Sequence, residues 1–330
     1  MSLEGKKVLV TGADGFIGSH LAETLVRAGA SVRAMTLYNS FNSWGWLDGS
    51  PLLHELDIRC GDVRDADFVR AAVSGMDIVF HLAALIAIPY SYQAPRSYVD
   101  TNVSGTLNVL QAVRDQGVGQ ILVASTSEVY GTARTVPISE AHPRQPQSPY
   151  SATKIAADAL AESFHLSFAT PVTIVRPFNT YGPRQSARAV IPTIMLQLLG
   201  GERRIKLGNL RPTRDLNYVE DTCRGFLMLA GCQQSIGKSV NVGSGREIAI
   251  GDLALLIAKI VGSEIEIVHD EQRMRPEFSE VDRLLCDNTL INSLTGYLPS
   301  ITLEEGLRRT VDWFRESENH QRYKANIYNV

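Results

Sequence analysis

From Lys7 onward the chain sets a short apolar run, Val8-Leu9-Val10, before a glycine turn, then SHLAETLVRAG, whose apolar positions recur at helical spacing until Gly29 ends them. That order predicts strand, turn and helix. Further apolar runs at residues 31–35, 54–60, 77–82, 120–125 and 172–176 have the length and composition of buried strands, with helical stretches between most of them. Such alternation predicts an α/β fold, a doubly wound parallel sheet covered by helices on both faces. Beyond Pro177 the rhythm breaks: glycines and prolines become frequent, arginines cluster, and helical stretches at 219–231, 250–261 and 302–315 alternate with short irregular strands. This part reads as a smaller C-terminal substrate-binding α/β domain over the carboxyl ends of the sheet, where ligands sit in such folds. The expected division is residues 1–178 plus about 216–244 for the sheet domain, and about 179–215 plus 245–330 for the smaller one. No internal repeat, heptad run or low-complexity tract is visible.

Composition narrows the class without choosing a function. The 330 residues, 44% hydrophobic and 20% charged, can bury a large core and exclude a disordered or collagen-like chain. Lys plus Arg (32) nearly balance Asp plus Glu (35), and the net charge of -3 removes the bulk electrostatic case for nucleic acid or an anionic membrane as partner. Any anionic ligand must be held by locally placed groups. Cys60, Cys223, Cys232 and Cys286 form no C-x-x-C pair, so neither a zinc site nor a disulfide framework is indicated, and a cytoplasmic location is expected. MSLEGKKVLV passes at once into TGADGFIGSH, so no secretion signal is expected. The most apolar stretch, 76–90, contains Asp77 and His81 and falls short of the ~20 residues of a membrane span. A soluble protein is expected.

Two motifs carry chemistry. Thr11-Gly12-Ala13-Asp14-Gly15-Phe16-Ile17-Gly18 follows the first strand and opens the first helix, the context a pyrophosphate loop requires. Gly12 permits the tight turn, Gly15 the approach of phosphates and Gly18 the close packing of the helix. The spacing is G-x-x-G-x-x-G, one residue longer than the common dinucleotide fingerprint. In SPYSATKIAADALAESF, Ser148 can cap a helix whose first turn accepts Pro149, which puts Tyr150 and Lys154 on one face. An ammonium beside a phenol lowers the phenol's pKa, so Tyr150 is expected to act as a general base.

TGADGFIG, Asp62 in CGDVRD, HLAA, TNVSGT, STSEVYG, YSATK and RPFNTYGPRQ together resemble the extended short-chain dehydrogenase/reductase family across nearly the whole chain, within its nucleotide-sugar branch. STSEVYG, QSPYSATK, RPFNTYGPRQSARAVIP, LGNLRPTRDLNYVEDT and RMRPEFSEVDRL are similar to the NAD-dependent 4,6-dehydratases of the legionaminic acid pathway, which act on nucleotide-linked N-acetylglucosamine. The resemblance implies a Rossmann-like NAD-binding domain in which Gly12, Gly15, Phe16, Ile17 and Gly18 hold the cofactor. It puts Asp62 on adenine with Val63 beside it, Leu82, Ala83 and Ala84 along the groove, Asn102 as a buttress and Pro177 against nicotinamide. Thr126, Tyr150 and Lys154 would be the catalytic triad, flanked by Ser127 and Glu128. Asn179, Arg214 and Arg275 match positions that hold a substrate diphosphate, with Ile86, Arg184, Val190, Leu207 and Asn209 also on the substrate side. Arginines suit that task, since planar guanidinium forks bind phosphate well.

Glu128 separates reaction types. Once C4 of a sugar is a ketone, a carboxylate beside the oxidising residues can remove the C5 proton, which favours a dehydratase over a 4-epimerase. Ser127, where glucose-nucleotide dehydratases carry Asp, resembles the mannose-nucleotide dehydratases and some C6 decarboxylases, so decarboxylation stays an alternative. A non-catalytic dinucleotide sensor would lack the Tyr/Lys pair. The second strand ends in Ala34-Met35-Thr36-Leu37, without the acidic residue that usually bonds the ribose 2′-hydroxyl of NAD. NAD therefore rests on the resemblance, and NADP stays open. The aromatic loop YNSFNSWGWLD that follows is expected to pack, either over the adenosine end or at a subunit contact. A homodimer through helices at 97–116 and 150–167 is expected.

Overall fold

The computed structural model describes residues 3–324 and Ile327. The chain opens with β1 (Lys7–Thr11), α1 (Phe16–Arg27), β2 (Ser31–Leu37), β3 (Leu56–Gly61), α2 (Ala66–Val73), β4 (Ile78–His81), α3 (Ile88–Gln93) and α4 (Pro95–Tyr98). Next come α5 (Gly105–Gln116), β5 (Gln120–Ala124), α6 (Pro149–Phe168), β6 (Val172–Pro177), β7 (Asn179–Tyr181), α7 (Val190–Leu199), β8 (Arg204–Leu207) and β9 (Thr213–Tyr218). The remainder holds α8 (Val219–Ala230), β10 (Ser239–Val242), β11 (Glu247–Ala249), α9 (Ile250–Val261), β12 (Glu266–His269), β13 (Arg283–Leu284), α10 (Thr289–Thr295) and α11 (Leu303–Arg315).

Seven strands form one parallel sheet in the order β3-β2-β1-β4-β5-β6-β10. The alternation of side chains along β1 shows why it must be covered on both sides: Val8 and Val10 join the core shared with α1 and α8, while Leu9 between them joins the core of α2, α5 and α6. The order reverses between β1 and β4, which opens a crevice at their carboxyl ends. Away from this sheet, β9 pairs with β7, β11 and β13, and β8 pairs with β12.

The predicted elements are present, with three differences at their edges. Residues 53–55 form a 3₁₀ turn, so the third strand starts at Leu56 rather than at 54. The second strand runs on to Leu37. The helical stretch at 97–116 is broken into α4, a π-helical turn at Val99–Ser104 and α5. Such turns redirect a side chain, and this one contains the buried Asn102. The start of α6 is as expected: Ser148 accepts the Ser151 amide at 3.1 Å, Ser151 accepts the Ser148 amide at 3.0 Å, and Pro149 sits in the first turn.

A buried ion pair locks α6 to the sheet. Arg176 on β6 meets Asp158 on α6 at 3.0 Å, with both side chains no more than 3% exposed. Arg176 also donates to the Tyr130 hydroxyl at 3.0 Å, which donates in turn to Asn241 of β10 at 2.7 Å. Leaving one partner of such a pair buried alone costs about 3–5 kcal/mol. Asp158→Leu is therefore expected to lower the unfolding free energy by about that amount, and the double variant Asp158→Leu/Arg176→Met by distinctly less. Urea unfolding of the three proteins checks this; equal losses in single and double variants would disprove the pairing.

Candidate active site

The crevice between β1 and β4 is built by backbone approaching backbone. Gly12 has φ +69°, and a Cβ there would stand 2.8 Å from the Ala83 backbone. A Cβ on Gly18 would stand 2.0 Å from the Gly12 carbonyl oxygen. Thr11 completes the junction by accepting the amides of Leu82 and Ala83 at 3.1 Å each. Gly15 caps α1 without a side chain, and no acidic residue stands in the helix's first turn, so the positive end formed by Phe16, Ile17 and Gly18 is left for an anion. This cradle fits a dinucleotide pyrophosphate. Asp62 lies just past β3, its carboxylate gripped by Arg64 at 2.5 Å and held below the usual carboxylate range chiefly by that bond. Val63 beside it is buried against Gly105.

Asn102 buttresses the loop after β4. Its side chain accepts the Leu85 amide at 2.8 Å, donates to the Leu85 carbonyl at 3.0 Å and donates to Thr153 of α6 at 3.1 Å. The loop carrying Ala84 is thus tied to the helix carrying Tyr150 and Lys154. Tyr150 and Lys154 are both buried, and the Thr126 hydroxyl lies near enough to the Tyr150 phenol to favour its ionised form. Thr126 also caps the short turn Ser127–Tyr130 by accepting the Glu128 amide at 3.2 Å. Ser127 and Glu128 are themselves buried.

One expectation is corrected here. The lowered phenol expected from the spacing is not what this structure shows: burial pushes the Tyr150 phenol well above its ordinary pKa, and Lys154 spends one of its three donors on the Ala124 carbonyl at 2.6 Å. The Thr126 hydroxyl is the influence that opposes burial, whereas the nearby Glu128 charge reinforces it. Lys154, in turn, is lowered from 10.5 to about 8 by burial, with the Asp158 charge pulling the other way.

On the opposite wall, Arg214 of β9 is buried and lowered by that burial, while Glu128 and Glu280 favour its charged form. It donates to the Glu280 carboxylate at 3.3 Å, and Arg275 approaches the same oxygen at 3.7 Å. One Arg275 nitrogen and the Asn179 side-chain oxygen at the start of β7 are buried without a hydrogen-bond partner. Pro177 ends β6 immediately before this segment. Leu207 ends β8 and is buried, Asn209 accepts the Arg211 amide at 3.2 Å, Val190 begins α7, and Ile86 is 60% exposed. One nitrogen of the Arg184 guanidinium pairs with Glu23 of α1 at 2.8 Å, fastening its loop to that helix, and another is buried without a hydrogen-bond partner. Sequence reasoning missed Glu280, which sits in the quoted string RMRPEFSEVDRL but joins Arg214 only through folding. It also missed Tyr98, whose ring lies edge-on to Tyr150 at 6.3 Å and whose hydroxyl donates to the Ala87 carbonyl.

A phosphate-binding glycine crevice, a buried Thr/Tyr/Lys group and paired arginines facing them define a nucleotide-sugar enzyme of the short-chain dehydrogenase/reductase type. The GDP-mannose 4,6 dehydratase family matches residues 9–310, and the chain belongs to that family. The chain is 34% identical to the UDP-N-acetyl-alpha-D-glucosaminuronate decarboxylase of Bacillus cytotoxicus, over 95% of this chain and 99% of the relative. Among solved structures it is similar to the epimerase Mth375 of Methanothermobacter thermautotrophicus, with a TM-score of 0.88, 30% identity and coverage of 97% and 95%. It is also similar to the dTDP-glucose 4,6-dehydratase DesIV of Streptomyces venezuelae, crystallised with NAD bound, with a TM-score of 0.85, 30% identity and coverage of 96% and 99%. Among the described residues no helix is long and apolar enough to cross a membrane.

The buried ammonium makes a prediction about stability. Because Lys154 in the folded chain lies at about 8 against 10.5 for a free lysine, the unfolded chain keeps a proton that the folded chain has lost between those values. Stability then rises with pH. Relative to Lys154→Met, the wild type is expected to gain stability from about pH 8 to pH 10 and to hold a constant difference below pH 7. Urea unfolding at stepped pH measures it, and a difference that stays flat to pH 10 would show that the ammonium is not penalised by burial.

Proposed function

We propose that the chain is an NAD-dependent nucleotide-sugar 4,6-dehydratase acting on N-acetylglucosamine carried by UDP or GDP. The observation that carries the reading is the position of Glu128, a buried carboxylate whose charge is felt both by the Tyr150 phenol and by Arg214. A carboxylate within reach of both the hydroxyl groups and the arginines is suited to take a C5 proton from a sugar held by them. Smaller sheets built on β9 and β8 would cover the sugar, and the glycine crevice would hold the cofactor.

NAD, when bound, supplies the hydride acceptor, a donor for the return step and a positive charge that favours the phenolate of Tyr150. Thr126 and Tyr150 take the proton of the C4 hydroxyl while C4 loses hydride and becomes a ketone. Glu128 then removes the C5 proton, now acidic beside the carbonyl, and the C6 hydroxyl leaves as water after receiving a proton. Hydride returned at C6 and a proton returned at C5 complete a 4-keto-6-deoxy sugar, so the net change is loss of one water. Arg214 and Arg275 grip the diphosphate, whose charge outcompetes Glu280 for them.

Decarboxylation of a C6 carboxylate is the second reading, favoured by the similarity to the Bacillus cytotoxicus enzyme and by Ser127 beside Glu128. Mass spectrometry after incubation with UDP- and GDP-sugars separates the two: loss of one water from an N-acetylglucosamine nucleotide supports the dehydratase, and loss of carbon dioxide from a uronate nucleotide overturns it. Glu128→Gln keeps the shape and removes the base, so it is expected to slow water loss ~10² to 10⁴-fold while bound NADH still forms in a single turnover. Product made in D₂O should carry deuterium at C5. A product of unchanged mass, inverted at C4 and without solvent deuterium, would make the enzyme an epimerase. Arg214→Ala is expected to weaken binding of the free nucleoside diphosphate at least about tenfold while the chemical step changes less, by calorimetric titration. Unchanged affinity would move the diphosphate elsewhere.

A further inference from the structure

The missing acidic residue at the end of β2 leaves the adenosine ribose without its usual partner, and the structure offers a replacement from another segment. Asp14, between Gly12 and Gly15 in the phosphate loop, is partly buried beside the end of β2: the amide of Ala13 before it donates to the Met35 carbonyl of β2 at 3.1 Å, and a Cβ on Gly45 of the loop after β2 would stand 3.0 Å from the Asp14 Cβ. Burial raises the Asp14 carboxyl, and the backbone amides of Leu37 and of Asp14 itself pull it back toward the charged form. Asp14 therefore stands beside the strand end from which the ribose-binding side chain of other dinucleotide folds projects.

The loop after β2 is shaped around this residue. The Trp46 amide donates to the Asp14 carbonyl at 3.1 Å, and Gly45, at φ +63°, passes so close that a Cβ would stand 2.5 Å from that oxygen. Asp48 holds the loop by accepting from Ser43 at 2.6 Å and from the Trp44 amide at 2.8 Å. Between Arg33 and Arg59 the chain has no lysine or arginine. Both of these arginines bond to Asp57, and Arg322, which reaches the loop from the C-terminal end, lies over the Trp46 ring at 5.1 Å. A 2′-phosphate needs a cation, typically an arginine, and here it would meet carboxylates.

We infer that Asp14 is the cofactor-specificity residue of this chain, its carboxylate accepting the adenosine 2′-hydroxyl of NAD and repelling the 2′-phosphate of NADP. The inference rests on the reading of the glycine crevice as a dinucleotide site and chooses between its two candidate ligands. It turns an apparent departure from the NAD pattern into a relocation of the same carboxylate, from the strand end to the phosphate loop.

Fluorescence titration with NADH and with NADPH tests it without any sugar substrate. The wild type is expected to bind NADH at least about tenfold more tightly than NADPH, because the wrong ligand meets an unpaired like charge. Asp14→Asn should weaken NADH several-fold and bring the two affinities within about threefold of each other, and Asp14→Ser should do the same if the amide perturbs the loop. Asp252→Asn, a control at an exposed carboxylate on α9, should leave the ratio unchanged. A wild type that prefers NADPH would overturn the NAD reading itself. A wild type that prefers NADH and variants at Asp14 that keep its ratio would leave NAD in place and refute the role of Asp14.

Discussion

Two cations and one carboxylate are buried where α6 crosses β5 and β6, and the placement of every reacting group follows from that constraint. Arg176 and Asp158 pair directly, while Lys154, one helical turn before Asp158, uses its ammonium on the Ala124 carbonyl at the end of β5. Charges out of water are tolerated only when their geometry is closely satisfied. The helix therefore has little freedom to slide or rotate on the sheet. Tyr150, four residues before Lys154, inherits that rigidity, and Thr126, two residues past the β5 carbonyl that holds Lys154, is fixed against it. Proton transfer at such a pair, as proposed above, gains from supports of this stiffness.

The same rigidity reaches the glycine crevice through side chains that bond across elements. Asn102 joins the Leu85 loop to α6, and Thr11 joins the end of β1 to Leu82 and Ala83. The crevice and the reacting hydroxyls are thus two ends of one connected framework. Arg214 and Arg275 stand apart from it, on β9 and in the segment before β13, and meet Glu280 instead of the sheet. Glu280 gives a buried guanidinium such as Arg214 a counterion, yet a single carboxylate shared by two arginines leaves hydrogen-bonding capacity unspent. An incoming diphosphate can fill it.

Sequence and structure agree best where function and local geometry coincide. Gly12 and Gly18 are readable because no other residue fits, and Ser148-Pro149 is readable because a cap has a local signature. The parallel order followed from strand-helix alternation. Three features were not readable, each for a physical reason. The pKa relation of Tyr150 to Lys154 failed because a spacing of four says which face a lysine occupies but not which acceptor it finds, and Ala124 lies 30 residues away. The pairing of Arg184 with Glu23, 161 residues distant, has no local signature. Glu280 was invisible because its meaning depends on Arg214, brought from a strand 66 residues away.

This distribution bears on how one framework serves several reactions. The relatives matched here are a decarboxylase, an epimerase and a dehydratase, so the crevice, the Tyr/Lys face and the sheet are compatible with all three. These chemistries share the need to oxidise a sugar hydroxyl, and the conserved physics of the framework addresses that step: a rigid phenol, a buried ammonium and a positive helix end. They diverge at the next bond to break, C5–H, C6–carboxylate or none. In the proposed reading the groups that meet that bond are Ser127 and Glu128 in the turn after β5, and the Glu128 charge in turn favours the charged form of Arg214. A change of reaction therefore needs no change of fold, and on the proposed reading it needs only a different proton acceptor at the end of β5.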